Sequence, residues 1–268
     1  MKRLSHGLTN QSSLTWSRAI GEDNDGDGTL NYLDGRNRSL NKTLMSFHCT
    51  YDIRSNGIYE MLFGSGRAFL SNAPGWLSRV VERWQLGGIF SITSGAPLTL
   101  TSGVSSWNQF TGNTPIAVGT FPKSLGSITK LPGGVVTYFP NVQQITDPTK
   151  NAVTNLQGLQ GSFSNFTITD ANGKVLLTNP APGQLGTLGQ HWIQGPRSIG
   201  FDMNLLKRVK IAESKDFELR VDAINVLNHP QFANPNVNID STTFGRITAT
   251  SAGNAGNRTF VVNARFSF

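Results

Sequence analysis

The stretch DNDGDGTLNYLD, residues 23–34, holds the densest set of metal-ligating groups in the chain. Asp23, Asp25 and Asp27 fall at positions 1, 3 and 5 of the calcium-loop template, and Gly28 takes the sharp turn at position 6. Thr29 would offer its carbonyl at position 7 and Asn31 would act through water at position 9. Asp34 stands at position 12, where the template has a bidentate Glu with a longer arm. Three carboxylates this close repel one another unless a hard cation neutralises them. The expectation is a Ca²⁺-binding loop of weak affinity. The same residues also make ordinary solvated turns.

No catalytic constellation accompanies this loop, and the chain is not expected to be an enzyme. There is no GxSxG elbow. His6, His48, His191 and His229 lack the HExxH spacing of a zinc site. The glycine-rich GSGRAF (64–69) has no following Lys-Ser/Thr to cradle phosphate. His229, in NHPQF, reads as a loop-capping residue. Cys49 stands alone, so no internal disulfide forms.

The elements that must carry these residues alternate with period two, which marks β-strands with one apolar and one polar face. Six segments show it: 7–20, 43–54, 83–101, 197–210, 216–227 and 257–268. In the last, Phe260, Val262, Ala264, Phe266 and Phe268 share one side, and Asn263 and Arg265 the other. In 216–227, Phe217, Leu219, Val221 and Ala223 oppose Glu218, Arg220 and Asp222. In 197–210, Ile199, Phe201, Met203 and Leu205 oppose Asp202 and Asn204. In 43–54, Met45, Phe47, Cys49, Tyr51 and Ile53 share the apolar side.

The connections are uneven. A short turn near 211–216 lies at one end of the strands. The segments 21–42, 102–196 and 228–257 lie at the other. Connection 55–82 returns to the turn end, with a short amphipathic helix expected after Pro74. A connection as long as 102–196 is abnormal inside a compact domain. It is expected to contain a hairpin, NFTITD and KVLLTN around ANG.

Composition narrows the class. At 268 residues, with 37% hydrophobic and 15% charged residues, the chain is rich in Gly, Ser, Thr and Asn, which suits strands and polar loops. No run of apolar residues is long enough for a membrane helix, which leaves membrane strands open. The start, MKRLSHGLTNQSS, has no apolar core of a signal peptide. The net charge of +7 is scattered, without a basic helix or zinc spacing, so nucleic acid is not an expected partner.

Trimmed turns at one end and elaborate loops at the other form the pattern of an outer-membrane barrel. The charges on the polar face suit a water-filled lumen, and the expected lumen-facing set is Asp202, Asn204, Glu218, Arg220, Asp222, Asn263 and Arg265. Among these, Arg220, Asp222, Asp202 and Arg265 read as a ladder of cross-strand pairs. Trp16, Trp84 and Phe268 fall where interfacial aromatics are expected. Two alternatives share the alternation: a calcium-binding, surface-exposed β-protein used for adhesion, and a soluble basic β-sandwich that binds polyanions. A sandwich would bury Phe201, Phe217, Phe260 and Phe266 beneath a second sheet.

Several motifs resemble TonB-dependent outer-membrane receptors of the Oar-like subgroup, which carry a carboxypeptidase-regulatory-like domain. They are SNAPGWLSRVVERWQLGGIFSITSGAPLTLTSG (71–103), NPAPGQLGTLGQHWIQGPRSIGFDMNLLKRVKI (179–211), LRVDAINVLNHPQFANPN (219–236), LTWSRAIGE (14–22) and the terminal RITATSAGNAGNRTFVVNARFSF. The resemblance implies an all-β fold, an antiparallel transmembrane β-barrel segment of about six long strands with long extracellular loops. It implies that residues 1–268 are the C-terminal part of a receptor barrel, with 21–42 and 102–196 as extracellular loops. Such receptors have twenty-two-stranded barrels, and six strands cannot close a membrane barrel alone. The resemblance further implies a place in the bacterial outer membrane and energised uptake. Its partners would be membrane lipid, the rest of the barrel and a plug, with TonB acting through the plug. Phe260, Phe266 and Phe268 would be the signal read by the outer-membrane insertion machinery.

Overall fold

A computed structural model describes residues 7–22, 33–64, 66–72, 74–103, 113–147, 166–181, 183–212, 215–251 and 256–268, with the backbone of 2–3. Six long strands form one antiparallel wall: β1 (Leu8–Trp16), β2 (Tyr51–Glu60), β3 (Trp84–Thr93), β4 (Ser198–Ala212), β5 (Lys215–Ile224) and β6 (Thr259–Ser267). They neighbour one another in chain order, and the two-residue strand Lys2–Arg3 pairs along the outer side of β1. The sheet is open, with β6 at one edge. The strands run from 9 to 15 residues, long enough to cross a bilayer at a tilt.

The register aligns the apolar faces. Phe266 lies opposite Phe217, Val262 opposite Val221 and Phe260 opposite Ala223. The row continues through Leu205 opposite Leu86 and Phe201 opposite Phe90, and reaches β1 with Leu14 opposite Ile53 and Trp16 opposite Tyr51. No second sheet covers this face among the described residues. Phe260 is 62% exposed and Phe266 50%, while Phe201 and Phe217 are half-buried. The sandwich alternative fails on that observation.

One cation breaks the apolar row. Lys207 sits opposite Leu219 on one side and Trp84 on the other. It is buried because helix α1 (Gly75–Val81) lies against β4. Pro74 sets the helix start, as expected. The Lys207 ammonium donates to the carbonyls of Arg79, at 2.8 Å, and Glu82, at the helix C-terminus, where a cation is favoured.

The second strand departs from the sequence reading. The expected strand 43–54 overlaps β2 only from Tyr51 onward; residues 43–50 pair briefly at 43–44 and then turn. The cause is the middle of β2. Ser55 and Gly57 occupy its apolar side, so alternation vanishes where the strand actually runs. They face Ser12 and Asn10 of β1. The Ser12 and Ser55 hydroxyls are 2.9 Å apart, and Ser55 donates to Asn10 at 3.2 Å. These hydroxyls and the amide satisfy one another on an otherwise apolar surface.

At the loop end the connections fold on themselves. We call this body the crown. A four-stranded sheet runs in the order Val142–Thr146, Phe166–Asp170, Val175–Thr178, Ile116–Ala117. The middle pair is the expected hairpin. Asp170 Oδ1 accepts from the backbone of Asn172 and Lys174, each at 2.9 Å, and Gly173 takes the left-handed turn at φ 81°. A second small sheet joins Arg246–Ile247, Val136–Thr137 and Thr129–Lys130. Leu98, Leu100, Phe139, Ile168, Leu177, Ile193, Ile239 and Ile247 form its dry core with their neighbours. Every buried hydrophobic side chain among the described residues belongs to the connections, and none to the wall strands. Gln144 ties two connections together by donating to the carbonyls of Ile239 and Ser241, at 2.6 and 3.0 Å.

Candidate functional site

The polar face of the wall carries a charge ladder. Arg208 Nε donates to Glu218 Oε2 at 2.8 Å, across β4 and β5. Arg220 Nε donates to Asp222 Oδ1 at 2.8 Å, along β5. Asn263 Nδ2 donates to Asp222 Oδ2 at 3.3 Å, across β5 and β6. Arg265 stands opposite Glu218 in the register. Asn204 lies against Gly87, where an added Cβ would fall 2.7 Å from its Oδ1.

Asp202 takes a different role from the rest. Its Oδ1 accepts the backbone N–H of Asn225 at 2.7 Å, and Asn225 Oδ1 accepts that of His229 at 3.0 Å. Asp202 therefore fixes the turn by which β5 leaves the wall. The set is well suited to lining water. Exposed pairs of this kind hold side chains in place and contribute little stability.

The calcium-type loop lies mostly outside the described residues, which exclude Asp23, Asp25, Asp27, Thr29 and Asn31. Its last position is within them. Asp34 Oδ1 accepts the Arg36 backbone N–H at 2.8 Å, with Arg36 Nε 3.9 Å away. The fully buried Asn41 braces this point, accepting from Leu33 N at 2.7 Å and donating to Asp34 O at 3.2 Å. The exit of the loop is thus braced within its own connection, between Leu33 and Asn41.

Two clefts open at the loop end, and neither was visible in the sequence. The first, of about 590 Å³, is lined by Trp16, Arg18, Lys42, His48, Lys123 and Trp192, among others. The second, of about 730 Å³, lies beneath Tyr138 and Arg197. Tyr138 donates its hydroxyl to Gln194 O at 2.6 Å, and burial pushes its pKa up to about 12. His48 is buried, and its pKa is lowered by burial first and by neighbouring Arg18 second. Its Nδ1 accepts from Ala19 N at 3.1 Å, so the neutral ring carries its proton on Nε2, 3.1 Å from Thr50 Oγ1.

A wall of spanning length, open on an apolar face and salt-laddered on the other, is the wall of an outer-membrane β-barrel. The chain belongs to the outer membrane beta barrel domain family, whose profile matches residues 1–260. It resides in the outer membrane, and its apolar face meets outer-membrane lipid. No curated protein and no solved structure matches the chain.

Proposed function

We propose that the chain forms part of the pore wall and the ligand-capturing crown of an Oar-like TonB-dependent receptor. The rest of the barrel and the plug would lie beyond these residues, and TonB would act through the plug. The observation that carries the reading is the crown. A passive pore needs only a wall, whereas here the loop end holds a separately cored body with two open clefts. Such a body can hold a scarce solute before it enters the lumen, and a lumen lined by Asp202, Asn204, Glu218, Arg220, Asp222, Asn263 and Arg265 offers polar contacts along the way.

The loop 23–34 would add a Ca²⁺ that fixes the crown's outer edge. The terminal Phe268, beyond Phe260 and Phe266 on one face, would present the insertion signal. The test is genetic and needs no known ligand. Cells lacking this protein and cells lacking TonB are compared on iron chelates, vitamins, saccharides and peptides as scarce nutrients. The reading expects at least one growth defect shared by both strains. A protein whose loss reproduces none of the TonB defects is not an energised receptor.

A further inference from the structure

We propose that the cleft above Trp16 is a binding site for a phosphate-bearing lipid headgroup of the outer leaflet. The placement comes first. Trp16 closes the apolar row of β1, shares its face with Leu14, and packs on Tyr51 with ring centroids 6.3 Å apart. It remains 74% exposed. An aromatic at the end of a lipid-facing row marks the depth of the headgroups. The cleft therefore begins where the hydrocarbon stops, on the side of the wall that faces lipid.

The charge comes second. Arg18, Lys42 and Lys123 are all exposed and line the cleft together. None of the three joins an ion pair among the described residues, and no described carboxylate lines the cleft. Among the described residues, three cations gather around one concavity with no carboxylate beside them, a positive potential that an anion relieves.

The rigidity comes third. The cations are held from three separate segments that are tied to one another. Thr43 Oγ1 donates to Gln190 O at 2.7 Å, and His191 Nδ1 meets Leu44 O. Trp192 Nε1 donates to Phe121 O at 2.9 Å, and Lys123 Nζ lies 4.5 Å above the Trp192 ring. Arg and Lys bind phosphate by charge-assisted hydrogen bonds, with the arginine fork matching its oxygens. The indole of Trp16 offers an apolar flank to the sugar or acyl chain beside it.

The inference rests on outer-membrane residence and stands apart from the uptake reading. It is tested on the protein extracted from outer membranes. The protein is placed in phosphatidylcholine vesicles with or without a minor fraction of a glucosamine-based glycolipid, phosphorylated or dephosphorylated. Glycolipid retained through detergent washing and gel filtration is counted by native mass spectrometry. Retention of the phosphorylated form is expected, falling by about tenfold in Lys42→Gln/Lys123→Gln, with near-ultraviolet circular dichroism confirming an intact crown. Arg18→Gln alone should give a smaller loss in the same direction, and salt should weaken binding. Equal retention of the dephosphorylated glycolipid, or unchanged retention in both variants, overturns the proposal. Complete displacement by inorganic phosphate would assign the cleft to a free anion and overturn the lipid assignment.

Discussion

In the wall, Phe266 faces Phe217 across a strand pair and half of its surface is open. In the crown, Phe139 is 3% exposed and stacks on Phe244 with centroids 5.2 Å apart. The same side chain thus serves two kinds of interior. The crown completes its own, because strands and loops from distant parts of the chain close over Ile168 and Leu177, both fully buried. The wall has no such interior within the protein, and its apolar face finds one in the bilayer. Its backbone groups must then be satisfied inside the sheet, since hydrocarbon offers no partner. The wall is therefore shielded from water mainly by lipid, and the crown by the protein itself.

The two regions should therefore fail differently. The largest effect is expected in the crown core. Leu177→Ala should cost about 2–5 kcal/mol, the usual range for emptying a packed leucine site. Hydrogen exchange should report faster opening across the crown and unchanged protection in β4 to β6. Uniform loss of protection in both regions would show that wall and crown are one cooperative unit.

An intermediate effect is expected from pH. The folded-state pKa of His48 lies below its ordinary 6.5, so the unfolded chain binds the extra proton more readily. The stability from the neutral ring is complete above that ordinary value. It is lost as pH falls through the lowered folded-state pKa, when protonated Nδ1 can no longer accept from Ala19 N. Protection at residues 17–22, taken relative to the intrinsic exchange rate at each pH, should fall on acidification, and His48→Gln should flatten that dependence. A pH response that persists in His48→Gln would remove His48 from the account.

The smallest effect belongs to the polar face of the wall. Arg208→Gln breaks the pair with Glu218, whose side chains are 50% and 30% exposed. The expected cost is about 0–1 kcal/mol, larger at low salt, read as a small shift of melting in detergent. A large shift would mean that the ladder is structural cement and not a wet surface.

The wall was largely legible in the sequence because its strands are long enough to repeat the two-residue period several times. Phe260 to Phe268 and Phe217 to Ala223 fall on the face that alternation assigns them. Legibility stopped where chemistry interrupted the period. Ser55 and Gly57 on the apolar side hid β2, and Lys207 lies in an apolar row because a helix end supplies its acceptors. The crown was legible only at its 166–178 hairpin, where Asp170 and Gly173 specify the turn. Its other strands are mostly two residues long, too short to show any period. The cleft cations Arg18, Lys42 and Lys123 come from separate connections, and only the fold brings them together. The expected ladder of cross-strand pairs among Arg220, Asp222, Asp202 and Arg265 did not form as read: Arg220 pairs with Asp222 along its own strand, Asp202 fixes a turn, and the ion pair across strands is Arg208 with Glu218.

The most direct measurement compares two adjacent residues of β6 whose side chains point to opposite faces. Val262→Arg and Asn263→Arg are each introduced into the full protein, and folding in lipid bilayers is followed by heat-modifiable gel migration and denaturant titration. Val262 is 65% exposed on the apolar face. An arginine there should cost about 2–4 kcal/mol, the range for a cation near the bilayer midplane. An arginine at 263, on the charged face, stands opposite Arg220 and gives up the bond to Asp222, and should cost no more than about 1 kcal/mol. Equal costs, or a greater cost at Asn263, would contradict a wall that meets lipid on one side and water on the other.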